Sequence, residues 1–221
     1  MKKIIKKFIQ VFYAPFLLWY IKTDRFYTYK GLKILVKAGV FHPGFFFSTK
    51  FLISTISQFD IKNARIIELG AGSGLISFYC ARKGAIVTAT DINFIALKGL
   101  EENNKRLGLN VRIIESDLFD KLPQQAVDFV VINPPYYPKN PLNDSERAWY
   151  CGAEFEYFEK LFSQLNNHIQ SSTIVLMSLS EDCDIQKISK IALKNKLLLK
   201  EHQNKRIFWE RNYIFTIVPR K

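Results

Sequence analysis

Hydrophobic positions along this chain change their period several times, and each change marks an element. Ile66-Ile67-Glu68-Leu69 is a short, nearly unbroken apolar run, the pattern of a strand covered on both faces. Gly70-Ala71-Gly72-Ser73-Gly74 follows, and Leu75-Ile76-Ser77-Phe78-Tyr79-Cys80-Ala81 then reads as a helix. Residues 85–90, 111–114, 126–132 and 173–177 repeat the buried-strand pattern. Residues 96–107, about 154–169 and 184–194 carry helical spacing between or after them. Two last runs, 196–201 and 207–218, read as an antiparallel pair. Strands alternating with helices and closing in a hairpin predict an α/β fold, a doubly wound, seven-stranded, mostly parallel sheet.

The first forty residues follow other rules. At 100° per residue, Ile4, Ile5, Phe8, Ile9, Val11 and Phe12 share one side of a helix over residues 2–13, with Lys2, Lys3, Lys6, Lys7 and Gln10 on the other, and Pro15 ends it. Such a basic amphipathic helix either packs its apolar face on its own domain or, within residues 2–21, lies peripherally on an anionic membrane or on phosphates. Phe26-Tyr27-Thr28-Tyr29 and Leu32-Lys33-Ile34-Leu35-Val36 flank Lys30-Gly31 as a hairpin. Residues 1–40 are therefore expected to form an extension and 41–221 the main domain. Ser48 or Thr49 is the expected N-cap of a helix over 50–58; alternatively the loop before it closes over a ligand, with a hydroxyl reaching the ligand's carboxylate.

Composition narrows the class. A hydrophobic share of 48% excludes a disordered chain, and no apolar run reaches the ~18 residues of a spanning helix. The net charge of +12 is uneven: residues 1–50 carry ten Lys/Arg against one acid, 51–184 twelve against seventeen, and 185–221 ten against two. A polyanionic partner would thus meet the two ends rather than the glycine-rich middle. Cys80, Cys151 and Cys183 are odd in number and lack ligand spacing, so no metal and a reducing, cytoplasmic setting are expected.

Candidate chemistry clusters at predicted strand ends. The glycines permit a sharp turn and close approach of a ligand, and the helix start offers free N–H groups to an anion. Asp91, with Ile92 after it, ends the second buried strand, where a carboxylate accepts hydrogen bonds from both ribose hydroxyls of a nucleoside. Asp117 after the third strand can take an adenine amino group while Leu118 packs on the ring. Asn133-Pro134-Pro135-Tyr136 ends the fourth. Its two prolines fix the backbone and remove two donors. The Asn133 oxygen and Pro134 carbonyl then pair as acceptors for a planar –NH2, and Tyr136 offers a stacking face.

Glu68-x-Gly70-x-Gly72-x-Gly74, Asp91, Asp117 and Asn133-Pro134-Pro135-Tyr136, in that order, resemble the class I S-adenosylmethionine-dependent methyltransferases of the Asn-Pro-Pro-Tyr group. Val40-Phe41-His42-Pro43 with Ser48-Thr49 is similar to the access loop of small glutamine methyltransferases that modify translation release factors. The resemblance implies S-adenosyl-L-methionine as cofactor. Its contacts would be Thr49, Glu68, Gly70, Ala71, Gly72, Gly74, Asp91, Ile92, Asp117, Leu118 and Asn133. Asn133, Pro134, Pro135 and Tyr136 would form the catalytic group. It also implies a macromolecular acceptor: a glutamine of a protein such as a translation factor, or an adenine or guanine amine in RNA. A nicotinamide-dependent dehydrogenase shares the glycine turn but has no use for Asn133-Pro134-Pro135-Tyr136. A non-catalytic membrane-surface adaptor would leave these motif residues without a task.

Overall fold

The computed structural model describes residues 20–207 and 210–220; the amphipathic stretch over 2–13 lies outside the described residues. The chain opens with an antiparallel hairpin of β1 (Arg25–Tyr29) and β2 (Leu32–Val36). Lys30 and Gly31 make its two-residue turn with φ of 47° and 72°, the left-handed pair that matches strand twist. Then follow α1 (Phe47–Ile56), β3 (Arg65–Leu69), α2 (Leu75–Arg82), β4 (Ile86–Asp91), α3 (Phe94–Leu107) and β5 (Arg112–Glu115). The second half holds β6 (Phe129–Ile132), α4 (Glu156–Leu165), β7 (Ile174–Ser180), α5 (Ile185–Lys194), β8 (Leu197–Ile207) and β9 (Glu210–Pro219).

Seven strands form one sheet in the order β5-β4-β3-β6-β7-β9-β8, with β9 antiparallel to both its neighbours and every other pair parallel. Side chains alternate between two cores. Ile66, Val87, Ala89 and Val131 pack with the hairpin, α1, α2 and α3, whereas Ile67, Leu69, Val130 and Ile132 pack with α4 and α5. Burial on both faces is why these strands read as continuous apolar runs. The expected strands, the last hairpin and the doubly wound topology are all present.

Helix boundaries moved for identifiable reasons. α1 starts at Phe47 behind Phe46, which makes no side-chain cap, so Ser48 and Thr49 lie inside the first turn rather than capping it. Both are buried, and Thr49 is instead drawn to Asn133. α3 begins two residues before the expected Ala96 because the Asn93 side chain accepts the Ile95 N–H at 2.9 Å. α4 is shorter than expected, starting after Phe155 at φ +67°.

The β1–β2 hairpin also shares the core of the main domain: Leu32, Ile34 and Val36 are buried against α2 and α3. Asn103, wholly buried on α3, ties it there, donating to the Leu35 carbonyl and accepting the Leu35 N–H, both at 2.7 Å. Among the described residues no helix is long and apolar enough to cross a membrane.

Gly74 joins the glycine turn to α2 at φ +76°, and a Cβ there would lie 2.4 Å from Leu100 Cδ2 and 2.6 Å from Phe78 Cε2. Only a residue without a side chain lets α2 and α3 meet at this point. Gly74→Ala should lower stability by about 2–4 kcal/mol through strain and overpacking, read as a lowered urea midpoint at unchanged slope; an unchanged midpoint would show that the helices can separate freely.

Candidate active site

Sheet order reverses beside β3, since β4 lies on one side and β6 on the other, and ligands of open α/β sheets bind at the carboxyl ends of strands at such a reversal. Register places the site residues in one row. Leu69 pairs with Thr90 on one side and Ile132 on the other, and Ile132 pairs with Met177. The next residue of each strand is therefore Asp91, Gly70, Asn133 and Ser178, side by side. Above this row lies a cavity of about 510 Å³, within the range of small-molecule sites.

Of the residues expected from sequence, Thr49, Glu68, Gly70, Ala71, Gly72, Asp91, Ile92, Asp117, Leu118, Asn133, Pro134, Pro135 and Tyr136 all line this cavity. Gly74 does not; what its position shows is the packing role described above. At Gly70, by contrast, a Cβ would meet nothing within 4 Å, so the backbone there is bare to the cavity.

Asp91 is fixed by backbone donors: Gly72 N–H reaches Oδ2 at 2.7 Å and Asn93 N–H reaches Oδ1 at 2.8 Å. The carboxylate keeps acceptor capacity beyond these bonds, which suits a ligand hydroxyl. Burial pushes its pKa up, while the N–H groups of Asn93, Gly72 and Ile92 pull it down. The Glu68 carboxylate sits one layer deeper and accepts from Ser77, through its N–H at 2.8 Å and through its hydroxyl. Ser77 is in the first turn of α2, whose N-cap is a glycine with no acceptor to offer, so Glu68 supplies the missing cap. Complete burial raises the Glu68 pKa to about 8 against the opposing pull of the Ser77 bonds, leaving the acid mostly uncharged at neutral pH.

Asn133 lies between two hydroxyls. Ser178 Oγ donates to its Oδ1 at 2.6 Å, and its Nδ2 donates to Thr49 Oγ1 at 3.4 Å. Amide orientation is therefore set from β7 and α1 at once. Tyr136 lies against the α4–α5 core, and burial drives its hydroxyl pKa upward. Residues not singled out from the sequence complete the site: Tyr157 and Lys160, one turn apart on α4, line it beside Asp117, and Ser178 lies behind Asn133 and holds its amide. Ser178 follows the apolar residues 174–177 within β7, and its bond to Asn133 exists only across the sheet.

Two loops meet over the cavity. Phe41 stacks on Phe46 at 4.7 Å, and Trp149 packs on both at 5.2 and 4.9 Å. The segment after Tyr136 is held by a bridge between Tyr137 and Tyr150, with the Tyr137 N–H on the Trp149 carbonyl at 3.0 Å.

A buried acid whose folded pKa lies above its unfolded one contributes stability at low pH that is lost as pH rises through the folded value. Wild type should lose stability relative to Glu68→Gln between about pH 5 and 8, with a slope of up to about 1.4 kcal/mol per pH unit, and level off above that. Paired urea titrations across this range give the difference, and parallel curves for the two proteins would contradict an uncharged Glu68.

The methyltransferase small domain family model matches residues 31–147. A Methanocaldococcus jannaschii relative, provisionally named a protein N5-glutamine methyltransferase, is 30% identical over 154 residues, 66% of this chain and 75% of its own length. An Alcanivorax borkumensis protein named ribosomal RNA small subunit methyltransferase C is 38% identical over 78 residues, 35% of this chain and 24% of its own. The solved E. cuniculi complex named for methylating the eRF1 translation termination factor has a chain that superposes with a TM-score of 0.64 at 19% identity, covering 83% of this chain and 99% of that one, a likeness of fold. With more than half its length matched by the family model and this site at the switch point of its sheet, the chain belongs to the methyltransferase small domain family, as an S-adenosylmethionine-dependent methyltransferase.

Proposed function

We propose that this methyltransferase acts on a planar –NH2 nitrogen, and that the acceptor is the side-chain amide of a protein glutamine. Asn133 held between Ser178 and Thr49 carries the reading, because it presents an amide of fixed polarity beside Gly70, where the cavity reaches bare backbone. Cavity and residues fit the cofactor: the Asp91 carboxylate would accept from the ribose, Asp117 and Leu118 flank the space for adenine, and Gly70, Ala71 and Gly72 leave room for the methionine part. Thr49, Glu68 and Ile92 close its edges. S-adenosylmethionine supplies, when bound, a methyl carbon activated by a sulfonium.

An amide nitrogen is a weak nucleophile because its lone pair is delocalised. Asn133 Oδ1, through its second lone pair, and the Pro134 carbonyl would accept the two amide hydrogens and hold the nitrogen so that its lone pair faces the methyl carbon. Pro135 stiffens the segment, and Tyr136 packs along the amide plane. Orientation of this kind is worth roughly 7–11 kcal/mol in favourable cases, and fixed dipoles in a dry cavity add to it. The nitrogen would gain a bond to the methyl carbon as that carbon's bond to sulfur breaks, the electron pair staying on sulfur as a neutral thioether, and would then lose one proton to solvent, so no strong base is needed.

The glutamine reading is supported by the Methanocaldococcus relative's name and by Val40, Phe41, Ser48 and Thr49, the segment similar to the glutamine enzymes' access loop, lining the cavity. An exocyclic amine of adenine or guanine in RNA is the second reading, favoured by the basic charge of both ends and by the Alcanivorax relative's name.

Asn133→Ala should abolish transfer, a loss of at least about a thousandfold, and leave S-adenosylhomocysteine affinity within about threefold, measured by calorimetry beside a radiolabel assay. Loss of both together would defeat the assignment. Ser178→Ala should cost about tenfold in kcat at unchanged cofactor affinity. Label transferred from cofactor to cell extract should survive ribonuclease and vanish with protease; the reverse would establish the RNA acceptor.

A further inference from the structure

Asp117 stands where the proposed reading needs an acceptor for the adenine amino group, yet nothing in its own loop holds its side chain. Its carboxylate is 44% exposed, and among the described residues its one partner is Lys160, whose Nζ reaches Oδ2 at 2.6 Å. Oδ1 has no partner among them. Lys160 is itself held in place: the same Nζ reaches Asp120 Oδ2 at 2.7 Å, and Gln164, one turn further along α4, donates to the other Asp120 oxygen at 2.6 Å. Gln164 also accepts the Phe119 N–H at 3.2 Å. Beneath them Ser116 Oγ donates to the Leu118 carbonyl at 2.9 Å and accepts the Lys121 N–H at 3.0 Å, while Leu118 takes φ +56°. One face of α4 thus grips the loop that follows β5, and Lys160 is the point of that grip that lines the cavity.

We propose that Lys160 is a positioning residue for the cofactor's base: by engaging one oxygen of Asp117 it leaves the other as a fixed, acceptor-only group, and so makes the cavity select a purine with an amino group at position six over one with a carbonyl there. This rests on the reading of the cavity as an S-adenosylmethionine site. A carboxylate offers no hydrogen to a carbonyl, and two of the three Lys160 hydrogens are committed to Asp117 and Asp120. The carbonyl analogue would therefore meet a like lone pair, and the discrimination comes from that mismatch. Without Lys160 the exposed Asp117 side chain regains its rotamers and turns to water.

The test is direct binding, by calorimetry, of S-adenosylhomocysteine and its inosine counterpart to wild type, Lys160→Met and Lys160→Arg. Wild type should prefer the adenosine compound by about tenfold or more, Lys160→Met should bind it about five- to tenfold more weakly and lose most of the preference, and Lys160→Arg should recover it. Lys160→Met melting within about 2 °C of wild type checks that the fold is kept, as expected for an ion pair this exposed. A Lys160→Met protein with wild-type affinity and preference, or one that weakens both compounds equally, would overturn the proposal. Wild type binding neither compound would overturn the cofactor reading itself.

Discussion

Everything at this site hangs on the parallel register of β3, β6 and β7. Leu69, Ile132 and Met177 lie abreast, so the next residues along are Gly70, Asn133 and Ser178, each from a different strand and more than forty residues from its neighbour in sequence. A slip of one residue would exchange the two cores, moving Ile67, Leu69, Val130 and Ile132 out of the α4–α5 side. Burial of both faces makes that slip prohibitively costly, and the cost of the slip is what holds the chemistry in line. Precision at the mouth is thus bought by packing several residues deeper.

The residues around the cavity divide into those that face it and those that hold others in place. Gly74 belongs to the second group although it sits in the glycine motif, since it lets α2 meet α3, and Glu68 belongs to both, lining the cavity while its carboxyl caps α2. Asp91 serves both ends. Its oxygens hold the Gly72 and Asn93 N–H groups, which fixes the glycine turn against β4 and keeps the carboxylate ready for hydroxyls. For Glu68 and Asp91 the local partners include backbone N–H groups that would otherwise be left without an acceptor, so the same bond both stabilises and positions.

How far the sequence disclosed this arrangement depended on whether a feature was local. The apolar run, glycines and helix around Ile66–Ala81 needed only their own neighbours, and the strand ends bearing Asp91, Asp117 and Asn133 could be read one at a time. Ser178 and Lys160 could not, because their roles exist only across the sheet or between α4 and the loop after β5. Thr49 shows the same limit from the other side. Local chemistry made a hydroxyl there a helix cap, but Asn133, 84 residues away, offers it an amide N–H, and the helix began earlier. The hairpin at 25–36 was legible as a hairpin, yet its membership in the main core depended on Asn103, which nothing in its own helix singled out.

The aromatic group Phe41, Phe46 and Trp149 bears on what this site would accept. Three rings in mutual contact join the loop before α1 to the loop after Tyr136, and Phe41 and Trp149 give the cavity an apolar edge there that limits access of water. Exclusion of water strengthens each polar contact within and raises the cost of each one left unmade. A planar –NH2 carries two hydrogens and meets two acceptors, the Asn133 oxygen and the Pro134 carbonyl, in the proposed geometry. A hydroxyl would leave one of those acceptors without a donor, and a carboxylate would leave both, with a charge besides. On the proposed reading, discrimination between nitrogen and oxygen acceptors follows from counting donors, and it would hold for a glutamine amide and for a nucleobase amine alike. What would separate those two is the shape of the cavity, to which the loop before α1 contributes Phe41 and the segment after Tyr136 contributes Tyr137, Trp149 and Tyr150.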